Sequence, residues 1–375
     1  MNILISGGGI AGLTTYIALT KQGHNVSIIE KRDSFTPNGS GLILAMNAML
    51  MFKKLGLQEE VIAHSRELKG LRMTNEKGKS LSFTFLQSLK LKYKTQAVTI
   101  KRASLHKILE NHIDFSKVRF STQIRSIEAS EQGKKVTFDD GSSQTYELII
   151  IAEGLHSTTR ALLLGANPYR FSGYTCWRAI VDVTFNHELI EMWGKQSRFG
   201  IVPLSETQTY IYLTYNAEQN DEKLKSLTAR DIKELFSSYG GKAPNVLNAI
   251  DENTLFYHDD LIDYATLTFS KDGILFVGDS AHAMTPNMGQ GATMGIEDGV
   301  ILSELIQRYP NEYVKHYNSV RKQRVAKIHK LSYLIGKMAQ VKNPILRNII
   351  HLIMRLTPDD RMKKQVEDGL IKPIL

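Results

Sequence analysis

Ile3-Leu4-Ile5-Ser6-Gly7-Gly8-Gly9-Ile10-Ala11-Gly12 begins with a short apolar strand and leads into an apolar-rich helical pattern running to about Gln22. The glycines therefore occupy a strand–turn–helix junction. Gly7, Gly9 and Gly12 meet the G-x-G-x-x-G spacing, in which the turn is tight, the backbone can approach a pyrophosphate, and the helix packs closely on the strand. A second strand at 26–29 ends in Glu30, eighteen positions beyond Gly12, where an acid can bind ribose hydroxyls. A glycine turn alone also fits other α/β folds. The acid at this distance favours an ADP-containing dinucleotide.

A second stretch, Gly278-Asp279-Ser280-Ala281-His282-Ala283-Met284-Thr285-Pro286-Asn287-Met288-Gly289-Gln290-Gly291, follows an apolar run at 274–277. It precedes a helical pattern in which Ala292, Ile296, Val300, Leu302, Leu305 and Ile306 recur. Asp279 can accept hydrogen bonds from sugar-like hydroxyls. Gly289 and Gly291 let backbone approach a flat ring, and the amides opening the next helix would stabilise negative charge on it. A reduced flavin is such a ring. His282 and His156 read as turn residues rather than catalytic bases.

The chain has 375 residues, 42% of them apolar, enough for a substantial core and two domains. It contains no apolar run of membrane-spanning length, and three apolar residues before the first glycine turn are too few for a signal peptide. A cytoplasmic protein is expected. One cysteine, Cys176, permits no intramolecular disulfide and encodes no metal cluster. The net charge of +9 arises from Pro310 onward, where fourteen Lys and Arg face five Asp and Glu. No nucleic-acid partner is expected from a basic excess confined to C-terminal helices. Arg321, Lys322, Arg324, Lys327 and Lys330 alternate with Val320, Val325, Ile328 and Leu331, the pattern of a solvated helix face, with an anionic membrane surface as the minor alternative. A second amphipathic stretch at 344–356 is expected to pack on the protein body or another subunit rather than on lipid. Monomer and homodimer both remain open.

Along the chain, a loop with Pro37, Gly39, Ser40 and Gly41 leads to a helix at 46–55 ended by Gly56. Residues 71–85 suggest a hairpin, 97–100 a strand and 102–111 a helix. Strands follow at 118–120, 123–129 and 135–138, then an apolar strand at 146–152. The block 173–269 is rich in strands (175–183, 199–203, 208–215), interrupted by a helix at 229–239. The fold class is α/β: a Rossmann-like dinucleotide-binding domain, an inserted β-sheet substrate domain, and C-terminal helices. The cofactor domain is assigned to 1–70, 98–172 and 272–340, the substrate domain to 71–97 and 173–271, and a helical tail to 341–375.

Taken together, these motifs resemble the class A FAD-dependent aromatic monooxygenases, the family of para-hydroxybenzoate, salicylate and urate hydroxylases and zeaxanthin epoxidase. The resemblance runs over residues 2–338. It rests on the two glycine motifs, on Arg102-Ala103-Ser104-Leu105, and on Glu153-Gly154-Leu155-His156-Ser157-Thr158-Thr159-Arg160, similar to the family's Asp-Gly motif. Here Glu153 stands where the family has Asp, which moves the charge by one carbon–carbon bond. The urate hydroxylase and zeaxanthin epoxidase branch is suggested by Gly173-Tyr174-Thr175-Cys176-Trp177 and by Arg198-Phe199-Gly200-Ile201-Val202-Pro203-Leu204.

The resemblance implies non-covalent FAD, NADPH or NADH as co-substrate, and hydroxylation of a small aromatic or heterocyclic substrate through a flavin hydroperoxide. It implies cofactor contacts from Gly7, Gly9, Ala11, Gly12, Glu30, Lys31, Arg32, Gly41, Arg102, Glu153, Gly278, Asp279, Pro286, Gly289, Gly291 and Ala292. The segment 39–44 resembles the one along which the flavin moves. Pro286 would lie over the reactive face, and Arg198 and Tyr212 are the substrate-side candidates, with Trp177, Arg178 and Tyr210 nearby in sequence. Alternatives sharing these motifs are a tetracycline-type antibiotic-inactivating monooxygenase, a flavin-dependent reductase, and a non-catalytic flavin redox module. A flavin halogenase is disfavoured by the absence of its WxWxIP signature.

Overall fold

The computed structural model describes residues 1–35, 40–165 and 169–371; Pro37 and Gly39 of the sequence reading lie outside them. A six-stranded sheet has the order Ser270–Lys271, Ile274–Phe276, Leu148–Ile151, Asn2–Ser6, Asn25–Ile29, Val118–Arg119. All neighbours are parallel except the first pair. Its central strands are continuous apolar runs, and Ile3, Leu4, Ile5, Leu148, Ile149, Ile150 and Ile151 are fully buried. That is the pattern of a parallel sheet covered on both faces.

The helix Ile10–Thr20 packs along the helix Gly291–Arg308, so the two glycine motifs meet although most of the chain separates them. The contact needs small residues. A Cβ on Gly278 would lie 2.8 Å from the Ala11 methyl, and one on Gly295 would lie 2.9 Å from it. Gly7, at φ +112°, also requires its missing side chain, since a Cβ there would sit 2.4 Å from the Ala152 carbonyl oxygen.

A seven-stranded sheet has the order Tyr257–Tyr264, Tyr169–Val181, Thr209–Asn216, Ser197–Pro203, Glu188–Trp193, Gly70–Asn75, Ser80–Phe85. Only the pair Glu188–Trp193 with Gly70–Asn75 is parallel. Because side chains alternate across a strand, its two faces have different partners. Trp177, Phe199, Ile201, Ile211 and Leu213 pack against Phe236, Tyr239, Val246 and Leu247, from and after the helices Ala229–Leu235 and Ala243–Asn248. Arg178, Arg198, Tyr210 and Tyr212 lie on the opposite face, where Tyr210 meets Gly41 and Arg198 meets Asn287.

Several expected elements are redrawn. The single strand at 146–152 is two: Ser143–Tyr146 belongs to a small antiparallel sheet, and Leu148–Ile151 joins the parallel one. The helix expected at 229–239 stops at Leu235. Glu188–Trp193 and Tyr257–Tyr264 are strands that the sequence pattern did not reveal. The latter (YHDDLIDY) is a charged edge strand, and charge on an edge hides the alternation by which a strand is recognised.

The long helix Tyr313–Ala339 is followed by Pro344–Leu356 and Asp359–Val366. The expectation that 344–356 packs on the protein body holds for one side only. His351 is buried and Arg347 Nη2 lies 3.7 Å from Glu76 Oε1, while the aliphatic side faces outward. Among the described residues no helix is long and apolar enough to cross a membrane.

Candidate functional site

Glu30 ends the strand Asn25–Ile29 beside the glycine turn. Its Oε2 accepts from the Gly8 amide at 2.8 Å and its Oε1 from the Arg32 amide at 3.1 Å. Each oxygen keeps acceptor capacity for a further donor. Lys31 and Arg32 are exposed next to it. The turn is held from behind by His106, whose Nε2 lies 2.8 Å from the Gly8 carbonyl oxygen and whose Nδ1 lies 2.8 Å from Glu110 Oε1. His106 was not anticipated. Its signal was its position one helical turn after Arg102 in Arg102–Glu110, and no local motif marks that.

Arg102 opens that helix, and its amide donates to the Ser40 carbonyl at 2.8 Å. Its guanidinium makes no hydrogen bond among the described residues. Burial pulls it below its usual pKa, with Arg178 and Arg32 adding to this and Asp279 opposing. An arginine stays charged under such a shift, so Arg102 presents a buried cation toward Asp279. The Asp279 carboxylate is exposed and likewise without a hydrogen bond among the described residues. Its Oδ1 would lie 3.8 Å from a Cβ on Gly291, so it faces the start of the helix Gly291–Arg308, with Ala292 in the first turn.

Gly289, at φ +60°, closes the single turn Pro286–Met288, on which Pro286 is exposed. Gly41 begins the strand Gly41–Leu44 and lies flat on the Tyr210 ring, where a Cβ would be 2.6 Å from Cγ. Unsatisfied donors and acceptors, glycine-lined backbone and a helix N-terminus therefore converge. These features fit a bound dinucleotide with a flat ring. Ala11 contributes differently, since its methyl group fills the crossing with Gly278 and Gly295.

Glu153 is fully engaged by its own surroundings. Ser6 Oγ donates to Oε1, as does Thr159 Oγ1 at 2.6 Å; Oε2 accepts from Ser157 Oγ at 2.7 Å and from the Thr159 amide at 3.0 Å. The acid thus ties the end of the strand Asn2–Ser6 to the start of the helix Thr158–Leu164. Arg160 of the same motif reaches back to the second glycine stretch, donating from Nη1 to the Ser280 carbonyl at 3.0 Å. Glu153→Gln should lower stability by about 1–3 kcal/mol, because the new amide sets donors against donors. Urea denaturation of the pure protein reads this directly. An unchanged midpoint would mean that the four contacts carry no weight.

On the substrate-side sheet, Arg198 is buried and satisfied within the protein. Its Nη2 donates to Asn287 Oδ1 at 2.7 Å, its Nε to Thr214 Oγ1 at 3.3 Å, and its Nη1 lies 3.6 Å from Glu191 Oε1. Asn287 Oδ1 also accepts from the Tyr174 hydroxyl at 3.0 Å, and Asn287 Nδ2 donates to the Ser332 carbonyl at 2.8 Å. Asn287 follows Pro286, so Arg198 is wired to that turn. Tyr212 packs on Gly200, and its hydroxyl donates to Glu191. Burial, reinforced by Glu191, pushes the Tyr212 phenol well above its usual pKa, which keeps it a donor. Trp177 points to the helix-covered face, away from Tyr210 and Tyr212. His282 is buried, with Nε2 2.7 Å from Asp298 Oδ2. It belongs to an ionic network beneath the site rather than to the site's surface.

A family profile described as "FAD binding domain" matches residues 1–332. Aurachin C monooxygenase/isomerase of Stigmatella aurantiaca is 29% identical over 99% of this chain and 98% of that protein. The 2-heptyl-3-hydroxy-4(1H)-quinolone synthase of Pseudomonas aeruginosa is 28% identical over 96% of this chain and 95% of that protein. Among solved structures, Klebsiella pneumoniae HpxO complexed with FAD and uric acid superposes with a TM-score of 0.89 at 20% identity, over 98% of this chain and 96% of that one. At that identity the likeness establishes the shared fold.

Proposed function

Because this chain belongs to the FAD binding domain family and is an FAD-dependent monooxygenase, we propose that it hydroxylates a small aromatic heterocycle bearing an apolar substituent, with NADPH or NADH as electron donor. The site reading is supported by the crossing at Ala11, Gly278 and Gly295, by Glu30 at the Gly8 amide, and by Arg102 within electrostatic reach of Asp279. The choice of substrate is supported by a relative named for a heptyl-bearing 4(1H)-quinolone. It is also supported by the two aromatic rings on the Arg198 side of the substrate-side sheet, Tyr210 against Gly41 and Tyr212 against Gly200.

In this reading Glu30 would accept from ribose hydroxyls, and the Gly9 amide with those of the first turn of Ile10–Thr20 would receive the pyrophosphate, with Gly12 allowing the helix close approach. Arg102 pairs with phosphate or ribityl oxygen, Lys31 and Arg32 flank the adenosine end, and Asp279 accepts from the ribityl hydroxyls. Gly291 and Ala292 would offer backbone amides to the carbonyl edge of the ring, and Gly289, whose amide is held by the Pro286 carbonyl, would leave room for the backbone to approach. Gly41 would leave room beside the ring, and Pro286 would cover its reactive face and help exclude water. Bound FAD would supply the redox chemistry, with the nicotinamide as the source of two electrons and dioxygen as the source of the inserted atom, its second atom leaving as water. Tyr212 would border the substrate with its hydroxyl proton held toward Glu191. Arg198 sets the Pro286 turn through Asn287 and adds positive charge behind it. Glu153 fixes the strand–helix junction facing the nicotinamide.

The test is anaerobic flavin bleaching by NADPH and by NADH, with and without 2-alkyl-4-quinolones, phenolic acids, purines and tetracyclines. Bleaching accelerated by alkylquinolones, followed in air by a product one oxygen heavier, is the expected result. Acceleration by tetracyclines alone, or by none of the compounds, would overturn the substrate assignment.

A further inference from the structure

We propose that the helix Pro344–Leu356 is a docking face for an anionic lipid bilayer. Ile345, Leu346, Ile349, Leu352, Ile353 and Leu356 are between 48% and 72% exposed. Their spacing places all six on one stripe of a helix. The opposite side is the one attached to the protein, through buried His351 and through Arg347 beside Glu76. The helix is therefore held with its aliphatic stripe outward. Leu334 and Met338, each 44% exposed near the end of the preceding helix, add further apolar surface.

Charge decides the occupant. Between Glu312 and Asp359 the chain has ten Lys and Arg and not one Asp or Glu; Arg321 and Arg324, expected on a solvated face, are instead buried against Glu297 and Asp298 and do not count toward this surface. Lys322, Lys327, Lys330, Lys337, Lys342 and Arg355 are exposed. A second copy docking through this stripe would set Lys342 and Arg355 against cations of the other copy, with no acid within the helix to pair them. An anionic lipid surface instead neutralises them while its acyl boundary takes the aliphatic stripe. No described helix can cross the bilayer, so the helix lies in the interface. The acids that resume at Asp359 and Asp360 fall beyond Pro358, outside the stripe.

The FAD-loaded protein is sedimented with sucrose-filled vesicles of phosphatidylcholine, with or without about one quarter phosphatidylglycerol. Binding to the anionic vesicles is expected, weaker on phosphatidylcholine alone and weaker again at about 0.5 M salt. The double variant Ile349→Glu/Ile353→Glu should reduce the bound fraction about tenfold or more, with flavin content, circular dichroism and melting temperature unchanged. Wild-type protein that stays in the supernatant with anionic vesicles overturns the proposal, as does a folded variant that binds as well as wild type. A dimer seen by light scattering that this variant splits, without vesicle binding, would assign the stripe to a second copy instead.

Discussion

Asp279→Ala should yield protein that loses its flavin on gel filtration. The exposed Asp279 carboxylate has no hydrogen bond among the described residues and lies within electrostatic reach of Arg102, so removing it costs the apoprotein little. In the loaded protein it would accept hydrogen bonds as an ionised group, worth about 1.5–3 kcal/mol each. The expected loss of FAD affinity is therefore about tenfold to a hundredfold per bond. Flavin fluorescence titration of the refolded apoprotein measures it, and an unchanged melting temperature of the apo form separates binding from folding. Asp279→Asn, which keeps an acceptor oxygen, should fall between alanine and wild type. A fully yellow alanine variant would remove Asp279 from the cofactor site.

Arg321→Ala should be the most destabilising single change, by about 3–5 kcal/mol, because it strips the guanidinium from two buried acids and leaves Glu297 with Arg324 alone and Asp298 with His282 alone. Arg321 Nε donates to Asp298 Oδ1 at 2.6 Å and Nη1 to Glu297 Oε2 at 2.8 Å, and all three residues are buried. Asp298 Oδ2 in turn accepts from the Gly278 amide at 2.7 Å. Glu297 Oε1 accepts from Asn47 Nδ2 at 2.8 Å, and Asn47 Nδ2 also donates to Gln290 Oε1 at 3.1 Å. The network runs from the long C-terminal helix to the backbone of the second glycine motif, so the variant should also bind FAD more weakly. Chemical denaturation measures the first effect and flavin titration the second. Wild-type stability in the variant would contradict the account.

The same network gives an acid dependence. Burial alone would raise the Asp298 pKa, but Arg321, His282 and the Gly278 amide outweigh it and hold it below its usual value. A depressed folded pKa contributes stability above the unfolded carboxylate range, and that contribution is lost as pH falls through the folded value. Without Arg321 the folded value rises. Loss on acidification should then begin at higher pH in Arg321→Ala than in wild type, as unfolding curves across mildly acidic pH would record.

Local spacing carried much of this protein. The glycine turn with Glu30 eighteen positions beyond Gly12, the Gly278-to-Gly291 stretch and the location of the basic excess were all legible, because glycine geometry, helix and strand periods and charge are written along the chain. The helix at 46–55 and the hairpin at 71–85 were legible for the same reason. Contacts between distant segments were not. Alternation put Tyr210 and Tyr212 on one face, but only strand pairing showed that this face meets Gly41 and the Pro286 turn while Trp177 faces the helices. The partners of Glu153 come from Ser6, Ser157 and Thr159. Arg198 finds Asn287 eighty-nine positions away. His106 reaches Gly8 across ninety-eight. The 344–356 helix showed its two faces in sequence, but which face would be covered depended on where the chain docked it. Sequence by itself determined which elements form and which groups they carry; tertiary packing decided which of those groups are already satisfied and which remain open to a ligand, because hydrogen-bond and ion-pair partners are set by proximity in space.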